Sequence, residues 1–127
     1  MAKNHSKEQP QPTVVIVDDD PAVRNSLKFS LELEGFAVRL YADGGELLAD
    51  SDLPANGCLV IDQVMPGTSG LDLVDALRKR GISNPAVLIV SDSNPQVRRR
   101  AVVAGVAVIE KPFFGNTLVD AIRDSLT

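Results

Sequence analysis

Tryptophan is absent from the 127-residue chain, tyrosine and cysteine occur once each, and four phenylalanines complete the aromatic set. The chain therefore lacks a platform on which nucleic-acid bases could stack. The lone cysteine, Cys58, cannot form an internal disulfide, so a reducing cytoplasm is the expected compartment. It lies beside a strand-like run and reads as a packed side chain. An excess of positive charge is also lacking. Thirteen basic against 17 acidic residues leave a net charge of −4, and the pI is near 4.9. Nucleic-acid binding needs a basic surface to replace phosphate counterions, so no direct nucleic-acid contact is expected. The one basic run, Arg98-Arg99-Arg100, reads as a solvated helix face. No apolar window of about 18 residues is present, so no membrane crossing is expected. The opening MAKNHSKEQPQP has no apolar segment of the signal-peptide kind. Residues 1–12 are expected to be a disordered tail and 13–127 a single folded domain, for which the 44% hydrophobic content is suitable.

What the sequence does contain is a repeated alternation. TVVIV at 13–17 reads as a strand buried on both faces, halted by Asp18-Asp19-Asp20. Pro21 suits a first helical turn with Asp20 as N-cap. Val23, Leu27 and Leu31 share one helix face, and Gly35 should end that helix. A second strand is expected at 36–40, broken by Asp43-Gly44-Gly45, with a short helix at 46–50. The third strand, 58–61, stops at Asp62. A Pro66-Gly67 turn and a helix at 70–80 follow, closed by Gly81. A fourth strand at 86–90 ends at Ser91, with a helix at 95–104 after it. A fifth strand at 106–109 leads to Lys111-Pro112, and a last helix spans 116–126. Five β-α units with continuous apolar strands and short loops predict an α/β fold. Its doubly wound, five-stranded parallel sheet would carry helices on both faces.

In such a sheet, ligands bind beyond the carboxyl ends of the strands. This chain puts Asp18 and Asp19 after the first strand, Asp62 after the third, Ser91 after the fourth and Lys111 after the fifth. One acid after a strand is usually a cap or a solvated turn, but four populated strand ends form a constellation. Carboxylates about 4 Å apart repel by roughly 4 kcal/mol at an effective dielectric near 20, so the cluster needs a cation or a proton. An oxygen-rich site that keeps several waters suits Mg²⁺ and leaves room for phosphate oxygens. Lys111 and Ser91 would add an amine and a hydroxyl to stabilise a phosphoryl group in transfer, with Asp62 as the nucleophile. On the residues alone this reading stands beside a bland one, in which Lys111 is a surface lysine and Ser91 a cap.

VIVDDDPAVRNSL, LVIDQVMPGTSGLDL and IEKPF together resemble the receiver domain of bacterial two-component response regulators, in the style of the nitrogen-fixation (FixJ-like) group. The resemblance covers about residue 13 to the C-terminus. It implies a flavodoxin-like (βα)5 sheet with strand order 2-1-3-4-5. It implies that a sensor histidine kinase phosphorylates Asp62, and that Mg²⁺ is held by Asp19, Asp62 and the Val64 backbone carbonyl, with Asp18 acting through water. Ser91 and Lys111 would hold the phosphoryl oxygens, and the Lys111–Pro112 bond would be cis. Output would pass to a downstream protein or a phosphotransferase through the 94–127 face, and a homodimer is left open.

Three features depart from the family pattern. Val108 stands where a Tyr or Phe usually reports phosphorylation, and Asp92 stands where a small residue usually follows the switch hydroxyl. The spacing from Ser91 to Lys111, 20 positions, is shorter than usual. Val64 and Ser93 flank the expected path of an attacking water. The alternatives are therefore a receiver-like binding module with an altered, non-switching response, or the isolated receiver of a longer DNA-binding regulator. A phosphohydrolase with an aspartyl nucleophile would usually carry a second acid two residues on, where Val64 stands. The chain is expected to be a phosphoacceptor rather than an enzyme.

Overall fold

A computed structural model describes residues 12–91, 94–113 and 116–127. Of the expected tail, only Pro12 falls among them, and its carbonyl accepts the Ala37 N–H at 3.1 Å. Five strands, β1 (Thr13–Val17), β2 (Ala37–Tyr41), β3 (Cys58–Asp62), β4 (Ala86–Val90) and β5 (Ala107–Glu110), pair in parallel in the order β2-β1-β3-β4-β5. Five helices follow them in turn: α1 (Pro21–Leu33), α2 (Gly44–Ala49), α3 (Gly70–Lys79), α4 (Pro95–Ala104) and α5 (Thr117–Leu126). The order 2-1-3-4-5 puts the reversal of strand order between β1 and β3, which opens a crevice at their carboxyl ends.

All five residues of β3 and of β4 are buried, because helices cover both sheet faces. On one face Leu47 of α2, Leu71 and Leu77 of α3 and Ala101 of α4 pack on Val15, Leu59 and Leu88. On the other, Leu31 of α1 and Leu118 and Ile122 of α5 pack on Ile16, Val60 and Ile89. Each fully buried aliphatic side chain contributes about 1.5–3 kcal/mol, so the continuous apolar runs hold the crevice floor rigid.

Two strands begin one residue later than the apolar runs suggest, and the cause is the same in both. The Phe36 N–H donates back to the Leu31 carbonyl and the Val106 N–H to the Ala101 carbonyl, so each residue closes the preceding helix before the strand starts. Gly35 and Gly105 take positive φ (99° and 71°) at these ends, and Gly81 (80°) does so after α3, completing Schellman closures. The short helix α2 starts two residues early because Asp43 caps it. The Asp43 carboxylate accepts the Glu46 N–H while Glu46 Oε1 accepts the N–H of Ala42, one residue before the cap, a variant of the capping box.

Candidate functional site

β1 ends by delivering Asp18 into the interior, 3% exposed, with Asp19 outside it. The local chain holds Asp18 closely. Its N–H donates to the Tyr41 carbonyl, its Oδ1 accepts the Asp20 N–H at 2.9 Å, and Arg24 Nη1 donates to its carbonyl at 2.6 Å. Among the described residues, its second oxygen, Oδ2, is buried without a hydrogen-bond partner. A buried carboxylate oxygen left unpaired is costly, so this atom marks where a cation or a metal-bound water fits. Oxygens of Asp18, Asp19 and Asp62 all lie within 4.8 Å of one another. Oxygen donors alone suit a hard cation that keeps part of its water shell.

Asp62 closes β3 at 8% exposure, opposite Ile89 of β4. Burial pushes its carboxyl above the ordinary range; the Lys111 ammonium opposes this, while Asp18 and Asp19 add to the upward push. Lys111 Nζ stands 3.4 Å from Asp62 Oδ1. It is brought there by β5, since the Lys111 N–H donates to the Val90 carbonyl at 2.7 Å. The following Lys111–Pro112 bond is cis, as the resemblance implies. An ammonium beside a desolvated carboxylate is placed to follow charge from the carboxylate to an incoming anion.

Ser91 follows β4 directly. With Gln63, Val64, Val90, Asn94 and Val97 it lines a cavity of about 240 Å³. Val64 throws its side chain into solvent, 73% exposed. Asp92 and Ser93 lie outside the described residues. Val108 is half-buried and packs on the same cluster as Val97 and Ala104 of α4. The structure thus brings Asp18, Asp19, Asp62 and Lys111 together and sets Ser91 at the neighbouring strand end. In the basic run, Arg98 reaches Glu110 at 3.5 Å and Arg100 bridges Asp72 and Asp75 of α3 at 3.0 Å each. These pairs are exposed, in keeping with a solvated helix face.

Two residues at the site's edge escaped the sequence reading. Arg24 sits one turn into α1 and returns to the Asp18 carbonyl. Gln63, directly after Asp62, accepts the Leu71 N–H at 2.9 Å through Oε1. Arg24 carries no signal apart from its position; a polar residue next to a buried acid was the signal for Gln63.

A family model described as the response regulator receiver domain matches residues 14–123. The C4-dicarboxylate transport transcriptional regulatory protein DctR of Rhodobacter capsulatus is 39% identical over 111 residues, covering 85% of this chain and 56% of that protein. The transcriptional regulatory protein FixJ of Rhizobium meliloti is 39% identical over 112 residues, covering 87% and 55%. The chain thus spans about half the length of these relatives. The crystal structure of FixJ-N superposes with a TM-score of 0.84 at 36% identity, covering 93% of this chain and 95% of that one.

Proposed function

The chain belongs to the response regulator receiver domain family, and from that premise we propose that it takes a phosphoryl group from a sensor histidine kinase onto Asp62. The observation that carries this reading is the placement of Asp62: buried among two further carboxylates, with Lys111 Nζ 3.4 Å from its Oδ1. Asp19, Asp62 and the Val64 carbonyl would hold Mg²⁺, and Asp18 would hold one of its waters. The bound ion would neutralise the carboxylates and the phosphoryl oxygens. An Asp62 oxygen attacks phosphorus, the bond from phosphorus to the kinase imidazole breaks, and the imidazole leaves with the electron pair. Lys111 and Ser91 then hold the phosphoryl oxygens by an ammonium and a hydroxyl.

The reading places the protein in the cytoplasm, with residues 13–127 as the receiver. The phosphoryl state is passed on through the 94–127 face to a downstream protein or a phosphotransferase, or through a homodimer. Relatives of twice the length are named as transcriptional regulators, so the same domain also fits the receiver half of a DNA-binding regulator. Incubation with acetyl phosphate or a cognate kinase and Mg²⁺ should add one phosphoryl group per chain by intact mass. Asp62→Asn should abolish it, and equal labelling of that variant sinks the reading.

A second reading is a receiver-like module that takes up phosphate without the usual rearrangement. Val108 favours it, because valine has no ring to move between buried and exposed positions. Amide spectra with and without beryllofluoride separate the two.

A further inference from the structure

The segment between β3 and α3 has no regular structure, yet its backbone is closely held. Gln63 makes three hydrogen bonds among the described residues. Its N–H donates to the Ile89 carbonyl at 2.9 Å, carrying the sheet ladder one residue past Asp62. Its carbonyl accepts the Gly70 N–H, and its side-chain Oε1 accepts the Leu71 N–H, each at 2.9 Å. Residues 64–69 are thereby gathered into a loop that returns to the residue it left. The first three amides of α3 are all satisfied: Gly70 and Leu71 by Gln63, and Asp72 by Ser69 Oγ at 3.2 Å. A serine cap alone would serve only the third.

Val64 lies between this anchor and Met65, which is 9% exposed in the core. Two fixed neighbours and a side chain in solvent leave the Val64 backbone as the part of that residue the fold controls. Mg²⁺ demands near-ideal octahedral geometry at about 2.0–2.1 Å, so a carbonyl ligand must be aimed and kept still. The cavity lined by Gln63, Val64, Ser91 and Asn94 gives the loop room to shift if the side-chain anchor is cut.

We propose that Gln63 is a positioning residue for the cation of the Asp18–Asp19–Asp62 cluster: its carboxamide, fixed on the Leu71 N–H, aims the Val64 carbonyl at the metal. This rests on the reading of Asp62 as a metal-assisted phosphoryl acceptor. An apolar residue at 63 keeps both backbone bonds and loses the third, so the loop pivots while the sheet stays intact.

Three measurements on the full 127-residue protein test it: Mg²⁺ binding by calorimetry, amide exchange at Leu71, and labelling by acetyl phosphate across Mg²⁺ concentrations. Gln63→Met, similar in length but without the acceptor, should speed Leu71 exchange and weaken Mg²⁺ binding roughly tenfold, as loss of an outer-shell partner does. Its labelling should need roughly tenfold more Mg²⁺ to reach half of its plateau rate, in step with the calorimetry. Gln63→Glu keeps an acceptor and should restore both Leu71 protection and Mg²⁺ affinity. Faster Leu71 exchange with unchanged Mg²⁺ affinity would reduce Gln63 to a helix cap and overturn the proposal. Unchanged Leu71 exchange would do the same. If the unaltered protein binds Mg²⁺ but takes no phosphoryl group, the phosphoacceptor reading fails, while the calorimetry still decides the role of Gln63.

Discussion

At the scale of residues, the chain contrasts two buried ionisable groups. Cys58 is fully buried in β3, and burial pushes its thiol up to about 12, so it stays protonated and inert at neutral pH. Asp62, four residues on, is also pushed up by burial, but it has Lys111 against it and opens on the acid cluster. The sign of its effect on stability follows. Below the ordinary aspartate value, about 3.9, the group is protonated whether the chain is folded or not, and its relative stabilisation is fully present. As pH rises through the elevated folded value, that stabilisation is lost. Without Mg²⁺, Asp62→Asn should therefore melt above the unaltered protein at pH 7, and the gap should close below about pH 4. Circular-dichroism melts over that range check it; a gap independent of pH would remove Asp62 as its source.

At the scale of elements, α3 carries the tightest constraint. It begins against the end of β3, and a Cβ added to Gly70 would lie 2.7 Å from Leu88 Cδ1, 2.8 Å from the Asp62 carbonyl and 3.1 Å from Gln63 Cα. Two of these neighbours are backbone atoms of Asp62 and Gln63, so the clash cannot be relieved by turning a side chain. Alanine's helix-propensity advantage over glycine, about 1 kcal/mol in a helix interior, is an upper limit at this first helical position. Overpacking of about 1–3 kcal/mol opposes that gain. Gly70→Ala should accordingly lower the urea midpoint and slow labelling of Asp62, since relief requires the strand end to move. A midpoint at or above that of the unaltered protein would show that α3 can shift freely.

At the scale of the whole molecule, the question is how far a change at Asp62 travels. α4 is tied to α3 by Arg100 through Asp72 and Asp75, pairs exposed enough to contribute about 0–1 kcal/mol each. Val108 packs under α4 without a ring to swing. With Mg²⁺ and beryllofluoride, amide shifts should therefore concentrate at the strand ends around Asp62 and spread weakly through 94–110. Large shifts throughout α4 and β5 would show that another element performs the aromatic residue's task. A conformational change needs two packings of different affinity for the ligand, and Val108 has no ring to supply the usual pair.

The five β-α units were legible in the chain alone, because a strand buried on both faces must be apolar throughout and must then stop at polar residues. TVVIV, CLVID and AVLIV state this directly. The shared edge of Asp18, Asp19, Asp62, Ser91 and Lys111 was legible as well, since the strands of a parallel sheet end on one side. Strand starts at β2 and β5 were not legible, because Phe36 and Val106 are apolar whether they close a helix or open a strand, and backbone hydrogen bonds decide which. Nor was the unpaired Asp18 Oδ2, which depends on how neighbours from β2 and α1 occupy the other polar atoms. The bond from Gln63 to Leu71 spans eight residues. Only the packing of α3 on β3, at a glycine with no room for a Cβ, brings those two atoms within reach.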